Sequence, residues 1–181
     1  MMQHTQTQLR QLKLTGMADA LRRQDELPNQ YDSLSFAERL QLLVDHEELI
    51  REQRKQQRLL KGAKLKLNAS AKAIDYTYPR GLKQSQFAAL LSGDWIHKHQ
   101  NVLFTGPCGC GKTYLACALA EAACMRGYSA KYYRLSRLLL ELSQAKADGT
   151  YRKLLQQLAK LDLLILDEPT SSLDDREVEK L

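Results

Sequence analysis

Apolar side chains recur every three or four positions in two stretches at the start of this 181-residue chain. The first stretch covers residues 5–26, and the second begins near Phe36 and continues through a charged region to about Leu60. This period is typical of amphipathic helices that bury one face. Gly16 is the predicted weak point of the first helix, because glycine lowers helix stability. We therefore predict a helical N-terminal domain over residues 1–78.

Two local signals indicate where these helices begin and end. Pro28 and Asn29 are residues that interrupt a helix, so they end the first one. Ser35 is followed three residues later by Glu38, which is the spacing of an N-terminal capping box. The second helix is therefore predicted to start directly after Ser35.

The pattern changes beyond the proline and glycine of residues 79–81, which mark a linker. Residues 79–100 are predicted to form this linker and one short helix at 85–91. Residues 101–181 then alternate short apolar runs with helical segments, and the runs at 101–105, 130–134 and 162–167 have the length of buried strands. The order β-α-β-α-α-β predicts an α/β fold with a parallel sheet.

A glycine-rich loop lies between the first predicted strand and the helix that follows it. Its sequence, GPCGCGKT, matches the phosphate-binding pattern G-x-x-x-x-G-K-[ST] at every constrained position. Glycines let the backbone N–H groups approach phosphate oxygens, and the helix N-terminus adds its positive dipole end. Lys112 is predicted to reach the β- and γ-phosphates, and the Thr113 hydroxyl to bind Mg²⁺. The predicted nucleotide-binding residues are Gly106, Pro107, Cys108, Gly109, Cys110, Gly111, Lys112, Thr113 and Tyr114.

Two carboxylates follow the last apolar run, LLIL, at Asp167 and Glu168. A buried parallel strand that ends in an acid places that acid at the edge of the sheet where α/β proteins bind ligands. Asp167 is predicted to hold the Mg²⁺ shell, and Glu168 to polarise the attacking water. The predicted catalytic set is Lys112, Asp167 and Glu168, with Thr113 and Asp167 as the metal site.

The positive charge of the chain is concentrated in one segment. The formal net charge is +6, but residues 51–83 alone carry +8, so the remainder sums to −2. A strongly basic segment is typical of a surface that binds a polyanion, most commonly nucleic acid. A solvated helix face rich in Lys and Arg is the alternative.

The composition of the chain argues against a membrane span, a signal peptide and a zinc site. No apolar run approaches the ~20 residues that cross a bilayer, and the N-terminus lacks a signal-peptide core. The four cysteines show no zinc-type spacing, so reduced thiols used as small residues are expected. We expect a cytoplasmic protein that does not bind membranes.

Taken in order, several stretches resemble the IstB-like ATPases, which are helpers of insertion-sequence transposition and relatives of the helicase loader DnaC within the AAA+ class. The resemblance covers about residue 7 to Glu168 and rests on LKLTGMADAL, FAERLQLLVDHE, IDYTYPRGL, SGDWIHKHQNVLFTGPCGCGKTYLACALAEAA and YRLSRLLLELSQAKADGTYRKLLQQLAKLDLLILDE. It implies an ATP-binding protein that uses Mg²⁺ and assembles as a homo-oligomer on double-stranded DNA. It also implies a transposase of the same element as partner.

The chain departs from this family after the acidic pair. The resemblance implies many further tens of residues, including a sensor strand between the phosphate-loop strand and the acidic strand, and an arginine finger. The sequence here has PTSSLDDREVEKL instead, so we expect an AAA+-like P-loop sheet that is incomplete at its C-terminus. ATP binding is expected and hydrolysis stays open. Two alternatives also stay open: a DnaC-like helicase loader, and a non-catalytic remnant that binds DNA or partners through its N-terminal helices.

Overall fold

The computed structural model describes residues 2–77 and 81–167. These residues form two compact units, one ending at Gln57 and the other beginning at Arg58. The division falls inside one long helix and before the boundary at residue 78 that the sequence predicts. The reason is that residues 63–74 contribute buried side chains to the core of the second unit.

The first unit contains helix α1 (Met2–Gln11), helix α2 (Thr15–Glu26) and the start of helix α3 (Phe36–Ala63). The predicted capping box is confirmed, because the Glu38 N–H donates to the Ser35 hydroxyl and the Ser35 N–H donates to the Glu38 carboxylate. Helix α3 ends three residues beyond the predicted Leu60.

The predicted single helix over residues 5–26 is wrong in one respect, because the helix breaks before Gly16. The break lies between α1 and α2, where Lys13 adopts a left-handed φ of 62°. Gly16 lies instead within α2, buried against α3, and a Cβ added to it would lie 2.8 Å from Cα of Glu47. The glycine therefore allows close approach of two backbones.

The second unit continues with helix α4 (Gln84–Leu91), helix α5 (Asp94–His97) and helix α6 (Lys112–Met125). Strand β1 (Ala130–Arg134), helix α7 (Leu135–Ala147), helix α8 (Tyr151–Ala159) and strand β2 (Leu163–Asp167) follow. The two strands pair in parallel, with Ala130 opposite Leu163 and Arg134 opposite Asp167. The predicted short helix, the strand at 130–134, the helices after it and the last strand are confirmed.

Helix α6 is the centre of the second unit, because both of its sides are buried. One side packs Leu115, Ala118 and Leu119 against Phe87 and Ile74. The other side packs against the sheet and the end of α3, through a cluster of Ala63, Ala120, Cys124, Ala130 and Ile165. Alanines at these positions let the helix lie close to the strands. This packing fixes the N-terminus of α6 relative to the end of β2.

The predicted strand at 101–105 is wrong for the described residues, which place no ladder there. A cleft of about 530 Å³ lies between residues 101–104 and β2, so the two segments do not exchange strand hydrogen bonds. Its apolar lining includes Leu103, which is 86% exposed, and Leu166, which is 50% exposed. An apolar run without a strand partner cannot satisfy its backbone groups through a sheet. Lys112 and Asp167 also line this cleft.

The part of the chain that the structure describes includes no helix that is long and apolar enough to cross a bilayer. All four cysteines are free thiols, with Cys117 and Cys124 buried. Burial raises the pKa of the Cys124 thiol, which keeps it protonated as a small core residue.

Candidate functional site

The glycine-rich loop leads directly into helix α6. Its glycines Gly106, Gly109 and Gly111 have φ values of 149°, 81° and 93°, which L side chains rarely adopt. Gly111 is the N-cap residue and has no side chain to cap the helix. The first N–H groups of α6 are therefore left for an anion, at the positive end of the helix dipole. This local structure is what the phosphate-loop pattern predicts.

The Lys112 ammonium lies across the loop. It donates to the carbonyl oxygens of Gly106, at 2.7 Å, and Pro107, at 2.8 Å. These contacts hold a positive charge beside the loop, and a bound phosphate would compete for the same N–H donors.

Thr113 and Asp167 meet although they are 54 residues apart in sequence. The Thr113 hydroxyl donates to the Asp167 carboxylate, with Oγ1 at 2.9 Å from Oδ1 and 3.1 Å from Oδ2. The first turn of α6 supplies the hydroxyl, and the last residue of β2 supplies the carboxylate. Hydroxyl and carboxylate oxygens are ligands that Mg²⁺ prefers, so these residues fit the predicted metal site.

Two further residues contact Asp167, and neither lies in a sequence motif that predicts the site. The Tyr132 hydroxyl on β1 donates to the Asp167 carboxylate, and the Lys66 ammonium lies 3.7 Å from Oδ2. Burial, together with the hydrogen bond to Asp167, raises the pKa of Tyr132, so its hydroxyl stays protonated and can donate. The positive Lys66 beside this carboxylate shows that the position accommodates a cation.

A strand-alternation argument could have found Tyr132. The register pairs Tyr132 with Ile165, two residues before Asp167 on the neighbouring strand, and side chains two apart share a face of a sheet. Lys66 gave no such signal, because it lies in an irregular segment that only tertiary packing positions.

The other predicted residues divide into three groups. Cys108 is exposed and Cys110 is half-buried, both within the loop. The Tyr114 hydroxyl contacts the backbone of Ser70, and this does not test its predicted nucleotide contact. Glu168 lies outside the described residues, so its predicted role as a base stays a prediction.

Residues 7–180 match the family of IstB-like ATP-binding proteins. The chain belongs to this family. The family match spans both structural units and includes the loop, Thr113 and Asp167.

Individual relatives agree with the family assignment. The chain is 51% identical over 93% of its length to a protein of Pseudomonas fluorescens named as an ATP-binding protein of insertion sequence IS1162. It is 42% identical over 91% of its length to an insertion-sequence ATP-binding protein of Sinorhizobium fredii. A similar protein of Mycobacterium tuberculosis is 32% identical over 88% of the chain. The chain spans 73%, 66% and 63% of the lengths of these relatives.

Proposed function

We propose that this IstB-like chain binds Mg²⁺-ATP and acts on duplex DNA as a helper of insertion-sequence transposition. The observation that carries the proposal is the contact of Thr113 with Asp167 beside the phosphate loop. A glycine loop at a helix N-terminus, a lysine and a hydroxyl–carboxylate pair are the parts that P-loop proteins use for a nucleotide phosphate and its metal.

Each part has a distinct task in this proposal. The N–H groups at the start of α6 bind phosphate oxygens, and Lys112 neutralises their charge. Thr113 and Asp167 hold Mg²⁺, which supplies further neutralisation of the phosphates when bound. Glu168 is proposed as the base that would activate water. Binding is the activity proposed for this chain, and hydrolysis needs a separate turnover measurement.

The proposed DNA contact rests on the exposed basic residues of the 51–83 segment. Arg54 and Lys55 are exposed in the first unit, and Arg58 and Lys61 are exposed in the second. Exposed Lys and Arg bind duplex phosphates through release of counterions, which needs no particular base sequence. We propose sequence-tolerant binding of double-stranded DNA.

Fluorescence anisotropy with a short labelled duplex tests this proposal. Binding by the whole chain should weaken steeply between about 50 and 200 mM salt. The triple variant Arg54→Gln, Arg58→Gln, Lys61→Gln should reduce the slope of log affinity against log salt by roughly 1 per lost contact. A matched triple variant on the exposed residues Arg152, Lys153 and Lys160 should retain the original slope. Equal slopes for both triple variants would contradict the assignment of DNA contact to this segment.

The proposed protein partner is the transposase of the same element. The relatives are named for insertion sequences, which favours transposition over helicase loading. A pull-down with this chain as bait should retain the transposase and not the replicative helicase, whereas retention of the helicase alone would support the loader alternative. The proposed homo-oligomer should appear as a larger species when ATP and DNA are added during sedimentation.

A further inference from the structure

The Lys66 ammonium is a cation already present at the carboxylate to which the metal is assigned. It lies 3.7 Å from Oδ2 of Asp167, and the side chains are 39% and 16% exposed respectively. Asp167 is thus the more shielded partner, and the ion pair lies at the edge of the site. In this arrangement Lys66 balances part of the carboxylate charge that Mg²⁺ would otherwise balance.

The segment that carries Lys66 is anchored to the helix of the phosphate loop. Ala69 and Ile74 are buried in the cluster that contains Leu115 of α6. The Ser70 N–H donates to the Tyr114 hydroxyl, and that hydroxyl donates to the Ser70 carbonyl, at 3.3 and 3.2 Å. These contacts place Lys66 beside the site, while Lys66 itself and its neighbours Leu67 and Asn68 are exposed. A movement of Lys66 therefore does not require the core to open.

Electrostatics makes Lys66 and a divalent cation compete for Asp167. Mg²⁺ bound to Thr113 and Asp167 would place two positive charges close to the Lys66 ammonium, and like charges at this range repel. The Lys66 side chain is partly exposed, and an ion pair that water can reach contributes little net stability, so a bound metal can displace it.

We propose that Lys66 acts as a displaceable counter-ion that couples the basic segment to the nucleotide site. Without Mg²⁺ it pairs with Asp167, and metal binding releases it to solvent. Because coupling between two sites is reciprocal, a polyanion that draws Lys66 away from Asp167 favours metal binding in turn. Lys66 is in this sense a positioning residue, since it acts on the nucleotide only through Asp167. The inference rests on the proposed binding of Mg²⁺-ATP at this site.

A Mg²⁺ titration of the full chain tests the competition directly. A fluorescent ATP analogue is held at fixed concentration, and the Mg²⁺ concentration that gives half-maximal binding is measured. Lys66→Met keeps most of the side-chain volume and removes the charge. It should lower this concentration by about two- to fivefold. Lys153→Met, an exposed lysine on α8, should leave it unchanged.

Hydrogen exchange supplies a second measurement on the wild-type chain. With the ATP analogue present, adding Mg²⁺ should speed exchange in residues 64–68 compared with the same sample in chelator, while exchange in α6 slows. If circular dichroism shows that Lys66→Met does not fold, this measurement on the wild-type chain still tests the proposal. Unchanged or slower exchange at 64–68 on adding Mg²⁺ would overturn the proposal.

The outcomes separate the inference from the proposed function. If wild type and Lys66→Met bind the analogue with the same Mg²⁺ dependence, the role of Lys66 is wrong and nucleotide binding stands. If wild type does not bind the analogue with or without Mg²⁺, both the proposed function and the inference are wrong.

Discussion

The Thr113 hydroxyl donates to the Asp167 carboxylate at 2.9 Å, which joins the start of α6 to the end of β2. We predict that Thr113→Ala removes a metal ligand and weakens nucleotide binding in Mg²⁺ by about tenfold, or about 1.4 kcal/mol. Thr113→Ser keeps the hydroxyl and should retain the wild-type affinity. Titrations with an ATP analogue in Mg²⁺ and in chelator check this. Equal loss in both conditions would contradict a role in metal binding.

The contact of Tyr132 with the Asp167 carboxylate is made by the Tyr132 hydroxyl, so the hydroxyl can be tested separately from the ring. Tyr132→Phe keeps the ring, which packs against both core clusters, and removes the donor to a carboxylate. We expect a loss of about 1–2 kcal/mol in the free energy of unfolding, because the shielded carboxylate loses a hydrogen-bond donor. Tyr133→Phe, on the opposite face of the same strand, is the matched control for chemical denaturation. An equal effect of both variants would show that the Asp167 contact is not the cause.

Gly16 and Gly62 make a matched pair for testing backbone packing. A Cβ at Gly16 would lie 2.8 Å from Cα of Glu47, while a Cβ at Gly62 would have nothing within 4 Å. Gly16→Ala should therefore cost about 1–3 kcal/mol through overpacking. Gly62→Ala, in α3, should be neutral or stabilising by up to about 1 kcal/mol. Thermal denaturation of both variants checks the contrast, which would be refuted if they shift the midpoint in the same direction.

We expect the first unit to lose stability in acid, because the ionised Glu47 carboxylate stabilises it and is protonated at low pH. Burial alone would raise its pKa, but hydrogen bonds from Arg51 and from the N–H groups of Met17 and Gly16 outweigh burial and hold the pKa below its ordinary value of 4.5. A lowered folded-state pKa means that the stabilisation is complete above the unfolded-state pKa. It is lost as pH falls through the folded-state pKa.

The pH dependence of Glu47→Gln checks this sign. The variant should be less stable than wild type at neutral pH, and the difference should shrink as pH falls below about 4.5. Glu48→Gln, on the exposed side of α3, should show no such difference. A gap between Glu47→Gln and wild type that stays constant into acid would refute the assignment.

Several elements of the fold can be predicted from the sequence, because each is specified by residues close together in the chain. The capping box at Ser35, the strand at 130–134 and the glycine loop are each defined within a few residues, and all are confirmed. The segment at 101–105 has the composition of a strand, but a strand also requires a neighbour, and the described residues offer it none. Composition alone cannot supply that information.

The candidate site shows the same limit. Thr113 and Asp167 could be predicted to meet because a motif and a strand end place them. Lys66 could not, since its position depends on the packing of Ala69 and Ile74 against α6. Helix propensity predicts that Gly16 is a weak point, whereas its role depends on the approach of Glu47 from another helix. Tertiary contacts of this kind are absent from local sequence.

Calorimetric titration of Mg²⁺-ATP into the wild-type chain and into Lys112→Ala measures whether the glycine-rich loop binds a nucleotide. We predict saturable binding at one site in wild type, and at least about tenfold weaker binding in Lys112→Ala because a charged donor to the phosphates is lost. Circular dichroism should show both proteins equally folded. Absence of binding in wild type, or equal affinity in the two folded proteins, would contradict the assignment of this loop as a nucleotide site.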